Sequence, residues 1–224
     1  MTASAGTATS YSTVSGEGRY ELEIKRSRFV AVLDRVESEE QAREHLLAVR
    51  REFSSARHHC SAYLIGAGRH FQRSYDDGEP VGTAGAPILE ALSRTTGPTG
   101  VADFSDVGAV VVRYFGGILL GAGGLMRAYS EAAAHALRNA PPVRRELLAL
   151  FRVEVPVVAV GRLENELRSA GFSILGTGYG FDAARLEVAL PFGAAAAYDL
   201  ESRVAAATLG TADVTAVGER WADR

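Results

Sequence analysis

Arg113-Tyr-Phe-Gly-Gly-Ile-Leu-Leu-Gly-Ala-Gly-Gly-Leu-Met-Arg127 follows the apolar run Val107–Val112 and leads into a stretch with helical spacing, Leu125, Tyr129, Ala132 and Ala136. An apolar run without polar alternation reads as a strand buried on both faces. Strand, glycine turn and helix in that order make the first part of the chain a mixed β-α domain. Glycines let backbone amides approach a ligand, and a helix N-terminus presents unpaired N–H groups with a partial positive charge. Arg113 and Arg127 flank the turn and can add bidentate contacts to phosphate or carboxylate. The turn is neither common nucleotide signature. A Walker loop starting at Gly116 and reaching Gly121 needs Lys-Ser/Thr where Ala122-Gly123 stands, and a dinucleotide pattern from Gly121 and Gly123 fails at Met126. Two readings therefore stand side by side. The turn is an anion cradle built from Arg113, Tyr114, Gly116, Gly117, Gly121, Gly123, Gly124 and Arg127, or its glycines only permit close packing of strand, turn and helix.

Toward the N-terminus, Tyr20, Leu22 and Ile24 alternate with charged residues, and Phe29, Ala31 and Leu33 repeat the pattern, as half-buried strands do. Ser38 and Gln41 have capping-box spacing ahead of a helix with Ala42, Leu46, Val49 and Phe53 on one face. Cys60–Ile65 reads as a short strand. Asp76-Asp-Gly-Glu-Pro-Val-Gly-Thr83 is irregular, punctuated by Gly and Pro, with a helix expected after it near Pro87. Asp76, Asp77 and Glu79 on this turn can bind a divalent cation, hold a substrate hydroxyl, or recruit Arg113 or Arg127 across a cleft. They can equally form a solvated turn whose aspartates cap local amides. Arg57-His58-His59-Cys60 enters a strand, so its histidines point to opposite faces and cannot chelate one metal together. One of them, His58, can still reach a cleft, and Arg57 and Thr83 complete the candidate binding residues. Cys60 reads as core.

Beyond Asn139-Ala-Pro-Pro142 the order is strand, helix, strand, strand, helix, strand, the ferredoxin-like split motif. The expected class is α+β in two domains. Residues 1–18 read as a flexible, Ser/Thr-rich arm, 19–140 as the first domain, 141–148 as a polar linker and 149–220 as the second domain.

The 224 residues are 47% hydrophobic and 23% charged, with a formal charge of −3. Fifteen basic residues face sixteen acidic ones up to residue 140, and nine face eleven after it, so neither half is a basic module. The single cysteine excludes an internal disulfide and a cysteine-based zinc cluster, and fits a reducing, cytoplasmic setting. Residues 108–126 are apolar apart from Arg113, but six glycines and that charge make a poor membrane helix, so no membrane association is expected. No cofactor motif and no metal triad occur, and no feature sets an oligomeric state.

Ser27-Arg28-Phe29-Val30-Ala31, Ala56-Arg57-His58-His59-Cys60-Ser61-Ala62-Tyr63, Asp76 to Gly85 and Arg113 to Tyr129 together resemble the IMPACT/YigZ family, in order over residues 20 to 138. The resemblance implies a first domain with the β-α fold of ribosomal-protein and elongation-factor domains. It also implies a ferredoxin-like second domain similar to the last domain of elongation factor G. Eukaryotic relatives regulate translation initiation under starvation, while for bacterial members nucleic-acid or ribosome binding is the usual inference. The family commonly carries lysine where this chain has Leu119. On this basis the chain is expected to be a translation-linked regulator that binds RNA, the ribosome or a translation factor. Net acidity opposes that reading, leaving a local patch of Arg57, Arg69, Arg73, Arg113 and Arg127 to carry it. The alternative is an enzyme or sensor for a small anionic ligand in a cleft between acidic loop and glycine turn. No nucleophile-base pair identifies a reaction, which favours the non-enzymatic reading.

Overall fold

The computed structural model describes residues 8–224. It divides into two compact units, Met1–Arg145 and Glu146–Arg224.

In the first unit, strands β2 (Gly18–Ile24), β3 (Ser27–Arg35), β4 (His58–Ile65), β5 (Phe71–Tyr75) and β6 (Val107–Tyr114) form one sheet in the order β2-β3-β6-β4-β5. Every neighbouring pair is antiparallel. The apolar run of β6 is the central strand. Val107, Ala109 and Val111 join the main core, and Val110 and Val112 a cluster on the opposite face, because period-2 alternation of an all-apolar strand feeds both sides. Helices α2 (Gly85–Arg94) and α3 (Ala122–Asn139) cover the first face with Ile88, Leu92, Tyr129 and Leu137. Helix α1 (Glu39–Glu52) covers the second, through Val49, Leu46 and Ala42. Its Ser38 cap accepts from the Gln41 amide at 3.2 Å, and the Gln41 side chain accepts from the Glu37 amide at 2.7 Å, one residue before the cap.

Two expectations on organisation differ from the structure. Of the segment read as a flexible arm, residues 1–7 lie outside the described residues, but Ser10–Val14 form strand β1, with Tyr11, Ser12, Thr13 and Val14 all buried. Their hydroxyls hide this in the sequence. The Thr13 hydroxyl donates to the Asp106 carbonyl at 3.2 Å, and Tyr11 donates to the Asp106 carboxylate. Asp106 also accepts from the Gly66 amide at 2.8 Å and from Arg145 at 2.9 Å. The segment 141–148, read as a linker, lies in strand β7 (Pro142–Pro156) from residue 142 on. Its two arginines looked solvent-directed but are spent on partners, Arg144 on Asp103 and Arg145 on Asp106 and Glu37. The edge strand β5 was not foreseen.

The second unit carries the rest of β7, α4 (Val157–Ser169), β8 (Ser173–Tyr179), β9 (Ala183–Pro191), α5 (Ala194–Thr208) and β10 (Asp213–Asp223). β9 lies between β7 and β8, and β10 pairs with β7. This is the βαββαβ ferredoxin-like arrangement, with Leu163, Leu167, Leu200 and Val204 of its two helices packed on Val153, Leu186 and Val188.

Candidate functional site

The acidic loop and β6 meet. Arg113 Nη1 donates to Glu79 Oε1 at 2.7 Å, and the side chains are only 7% and 4% exposed. The Tyr129 hydroxyl donates to the same oxygen at 2.8 Å, which ties the loop, the strand end and α3 to one carboxylate. The guanidinium lies between two rings, its Cζ 5.5 Å from the Phe29 centroid and 5.4 Å from that of Phe115. Its Nε is buried and has no hydrogen-bond partner among the described residues. Below this pair the Cys60 thiol faces the Asp76 carbonyl at 2.9 Å and the Tyr129 hydroxyl at 3.4 Å. Burial pushes the thiol up to about 12 and raises the Tyr129 phenol as well, so neither ionises near neutrality. Cys60 is core, with no thiolate for nucleophilic work.

The other loop residues have structural partners. Asp76 accepts from the amides of Gly82 at 2.8 Å, Ala84 at 3.0 Å and Gly85 at 2.8 Å, closing the loop and capping the start of α2. Burial alone would raise this carboxyl, but the three amide bonds outweigh it and hold it below its ordinary value. Asp77 sits at φ 44° and turns away from Arg113. Its carboxylate takes Arg50 at 2.6 Å and the His59 amide at 2.7 Å, and its carbonyl lies 2.9 Å from His58 Nδ1. Thr83 donates to the Pro80 carbonyl at 2.7 Å. His58 and His59 thus hold the loop, and among the described residues no group of three His, Cys, Asp or Glu side chains is placed to hold a metal.

The glycine turn divides in two. A Cβ on Gly116 would come within 2.0 Å of the Arg26 carbonyl carbon, so this glycine exists for packing. Its amide donates to the Ser27 hydroxyl at 3.2 Å. Further along, Gly117 and Gly121 hold φ of 84° and 73° with open space where a side chain would stand, and Gly123 is equally open. Gly121 caps α3 without a side-chain bond, and no acidic residue occupies the first turn, so no side chain of the helix's own start compensates the leading amides. Around them the turn exposes Phe115, Ile118 and Leu119, the last 81% exposed.

The five arginines expected to form a patch do not act together. Arg113 is spent on Glu79 and Arg73 on Glu39 at 3.0 Å, while Arg69 donates to the carbonyls of Ser93 and Ala102. Arg57 and Arg127 are exposed. The β2–β3 hairpin brings further cations that were not among the expected binding residues. Lys25 and Arg26, exposed at φ 47° and 63°, form the β2–β3 hairpin turn against which Gly116 packs. Arg28 lies 5.4 Å over the Tyr114 ring and is bonded to Glu21 at 2.6 Å. Ser27, Tyr129 and Phe29 were likewise missed as parts of the site. Ser27 and Phe29 stood in plain view beside Arg28, but nothing local indicated that they meet Gly116 and Arg113.

The fold is a β-α domain in which a buried ion pair braces a loop, a strand end and helix α3 beside a glycine-rich turn. The family model for the Impact N-terminal domain matches residues 25–137. IMPACT family member YvyE of Bacillus subtilis is 42% identical over 163 residues, covering 73% of this chain and 72% of its own. IMPACT family member YigZ of Escherichia coli is 36% identical over 199 residues, covering 88% and 93%. A crystal structure of a hypothetical protein superposes with a TM-score of 0.61 at 33% identity, covering 94% of this chain and 98% of that one. The chain belongs to the IMPACT family. Membership supports a translation-linked regulatory role at the level of the family. No helix among the described residues is long and apolar enough to cross a membrane.

Proposed function

We propose that this protein is a translation-linked regulator that binds RNA, the ribosome or a translation factor through the outer side of its glycine turn. The observation that carries the reading is the chemistry of that surface. Open glycines at the start of α3 and exposed Phe115, Ile118 and Leu119 lie on one stretch of backbone, and the Lys25-Arg26 hairpin turn packs against it at Gly116. Amides and the helix N-terminus suit phosphate oxygens, the two cations add a salt-sensitive attraction, and the aromatic and aliphatic side chains suit base faces or a protein partner. Arg113 belongs to the support of this surface. Its charge is used on Glu79, so the acidic loop and the turn meet in a buried pair, which counts against a ligand cleft between them.

Filter binding of a single-stranded RNA, and co-sedimentation with ribosomes, each at two salt concentrations, test the reading. Wild-type binding should weaken at higher salt. Replacing Lys25, Arg26 and Arg127 together with alanine should weaken binding at low salt and flatten its salt dependence, with no change in melting temperature. Absence of salt-sensitive binding to both RNA and ribosomes, with no translation factor retained, would overturn it.

A further inference from the structure

The two faces of the first sheet are unequally covered. Five strands at about 4.8 Å spacing make a sheet roughly 20 Å wide, while one helix is about 10 Å across. Two helices cover the face opposite α1, and among the described residues α1 is the one helix of this unit on its own face. The apolar contacts beneath α1 are accordingly split into two clusters. One joins Val30, Val32, Val110 and Val112 to Val49 and Leu46, and the other joins Val36, Tyr63 and Ile65 to Ala42. At the split lies a cavity of about 560 Å³, lined by Ala42, His45, Leu46, Ser61, Tyr63 and Val110. That volume is within the range of small-molecule sites, roughly 300–1,000 Å³. Small residues make it: Ala42 stands on the helix, and Ser61 and Gly108 on neighbouring strands.

The polar groups of this cavity are not all satisfied. Ser61 is 8% exposed, and among the described residues its hydroxyl makes no hydrogen bond, while its oxygen is not sealed from solvent. His45 Nε2 lies 3.3 Å from the Val32 carbonyl, so that nitrogen is assigned the proton and Nδ1 keeps a free lone pair. Burial lowers the His45 pKa, in keeping with a neutral ring. At the rim the Glu39 carboxylate is already occupied by Tyr63 and Arg73. Glu40 and Arg43, three residues apart on α1, have no ion-pair partner among the described residues. The free charges of the rim are therefore one carboxylate and one guanidinium.

We propose that this cavity binds an aromatic amino acid, with its ring between α1 and the sheet and its ammonium and carboxylate groups on Glu40 and Arg43. The apolar walls of Leu46, Val110 and Ala42 take the ring, and Ser61 takes a phenol or indole hydrogen at its far end. A nucleotide fits less well, because its phosphate would meet two carboxylates with only Arg43 uncommitted. This site is on the sheet face away from the α3 side and goes beyond the role proposed for the glycine turn.

Isothermal titration of the full chain with L-tryptophan tests the proposal, with tryptamine, which lacks the carboxylate, and adenosine 5′-monophosphate as comparisons. L-tryptophan should bind saturably and more tightly than either comparison. Ala42→Leu, which narrows the space, should weaken it at least tenfold without lowering the melting temperature. The exposed Arg43→Gln change leaves packing alone and should weaken L-tryptophan while leaving tryptamine unchanged. No saturable binding up to the solubility limit, binding indifferent to both substitutions, or tighter binding of the nucleotide would each overturn the proposal.

Discussion

Glu79 and Arg113 stand 34 residues apart in sequence and 2.7 Å apart in space, both withdrawn from water. Desolvating two charges is expensive, and the pair survives because Tyr129 shares the carboxylate and two rings face the guanidinium. Removing one partner strands the other charge. Arg113→Ala should therefore cost about 3–5 kcal/mol in urea denaturation. The double change Glu79→Leu with Arg113→Met should cost less than Arg113→Ala alone, because no buried charge is left over. A double variant that loses as much as the sum of its singles would show that the two groups act independently.

Gly116 and Gly123 separate packing from openness within one turn. Gly116→Ala drives a Cβ into the Arg26 backbone and should destabilise by about 1–3 kcal/mol or more, since no side chain there can yield. Gly123→Ala meets nothing within 4 Å in helix α3 and should stabilise by about 0.5–1 kcal/mol. Thermal melts of the two variants beside wild type check both signs.

Asp76 supplies a pH signature. Its folded pKa lies below the ordinary 3.8, so its contribution is complete above that value and is lost as pH falls through the depressed one. Asp76→Asn should cost about 0.5–2 kcal/mol at pH 7, the range of a lost helix cap. The gap to wild type should close only below pH 3.8, in denaturant titrations run from pH 7 down to 2.5. A gap unchanged over that span would mean that the carboxylate charge contributes nothing.

Cys60 should be silent toward thiol reagents in the folded protein. The group is fully buried and its pKa is pushed up to about 12, so the thiolate is scarce and unreachable. Dithionitrobenzoate should release colour only after denaturation. Rapid stoichiometric reaction with the native chain would contradict the packing around Tyr129.

Much of this was legible in advance, and the exceptions share a cause. The all-apolar β6 announced a central strand, and Ser38 with Gln41 announced the start of α1, because both signals are local. Hydroxyl-rich β1 and Arg145 of β7 read as solvent-exposed because their partner, Asp106, is some ninety residues from one and forty from the other. The meeting of Glu79 with Arg113 was among the expected contacts, but its burial was not. Exposure depends on Phe29, Phe115 and Tyr129 closing around the pair, and no spacing rule brings those three together. Lys25 and Arg26 were missed because a hairpin turn gives no hint of which glycine will rest on it.

The position of β6 also fixes an order of events. Its two neighbours, β3 and β4, are both made earlier in the chain, and neither touches the other within the sheet. A nascent chain that has passed β5 holds two separate hairpins, β2–β3 and β4–β5, each with an unpaired inner edge. Only when residues 107–114 emerge can the hairpins be joined across the gap. Long-range pairing of this kind slows folding and leaves open strand edges in the meantime. The first domain therefore completes its sheet late in its own synthesis, in a single closing step, and the strand that closes it carries Arg113 into place.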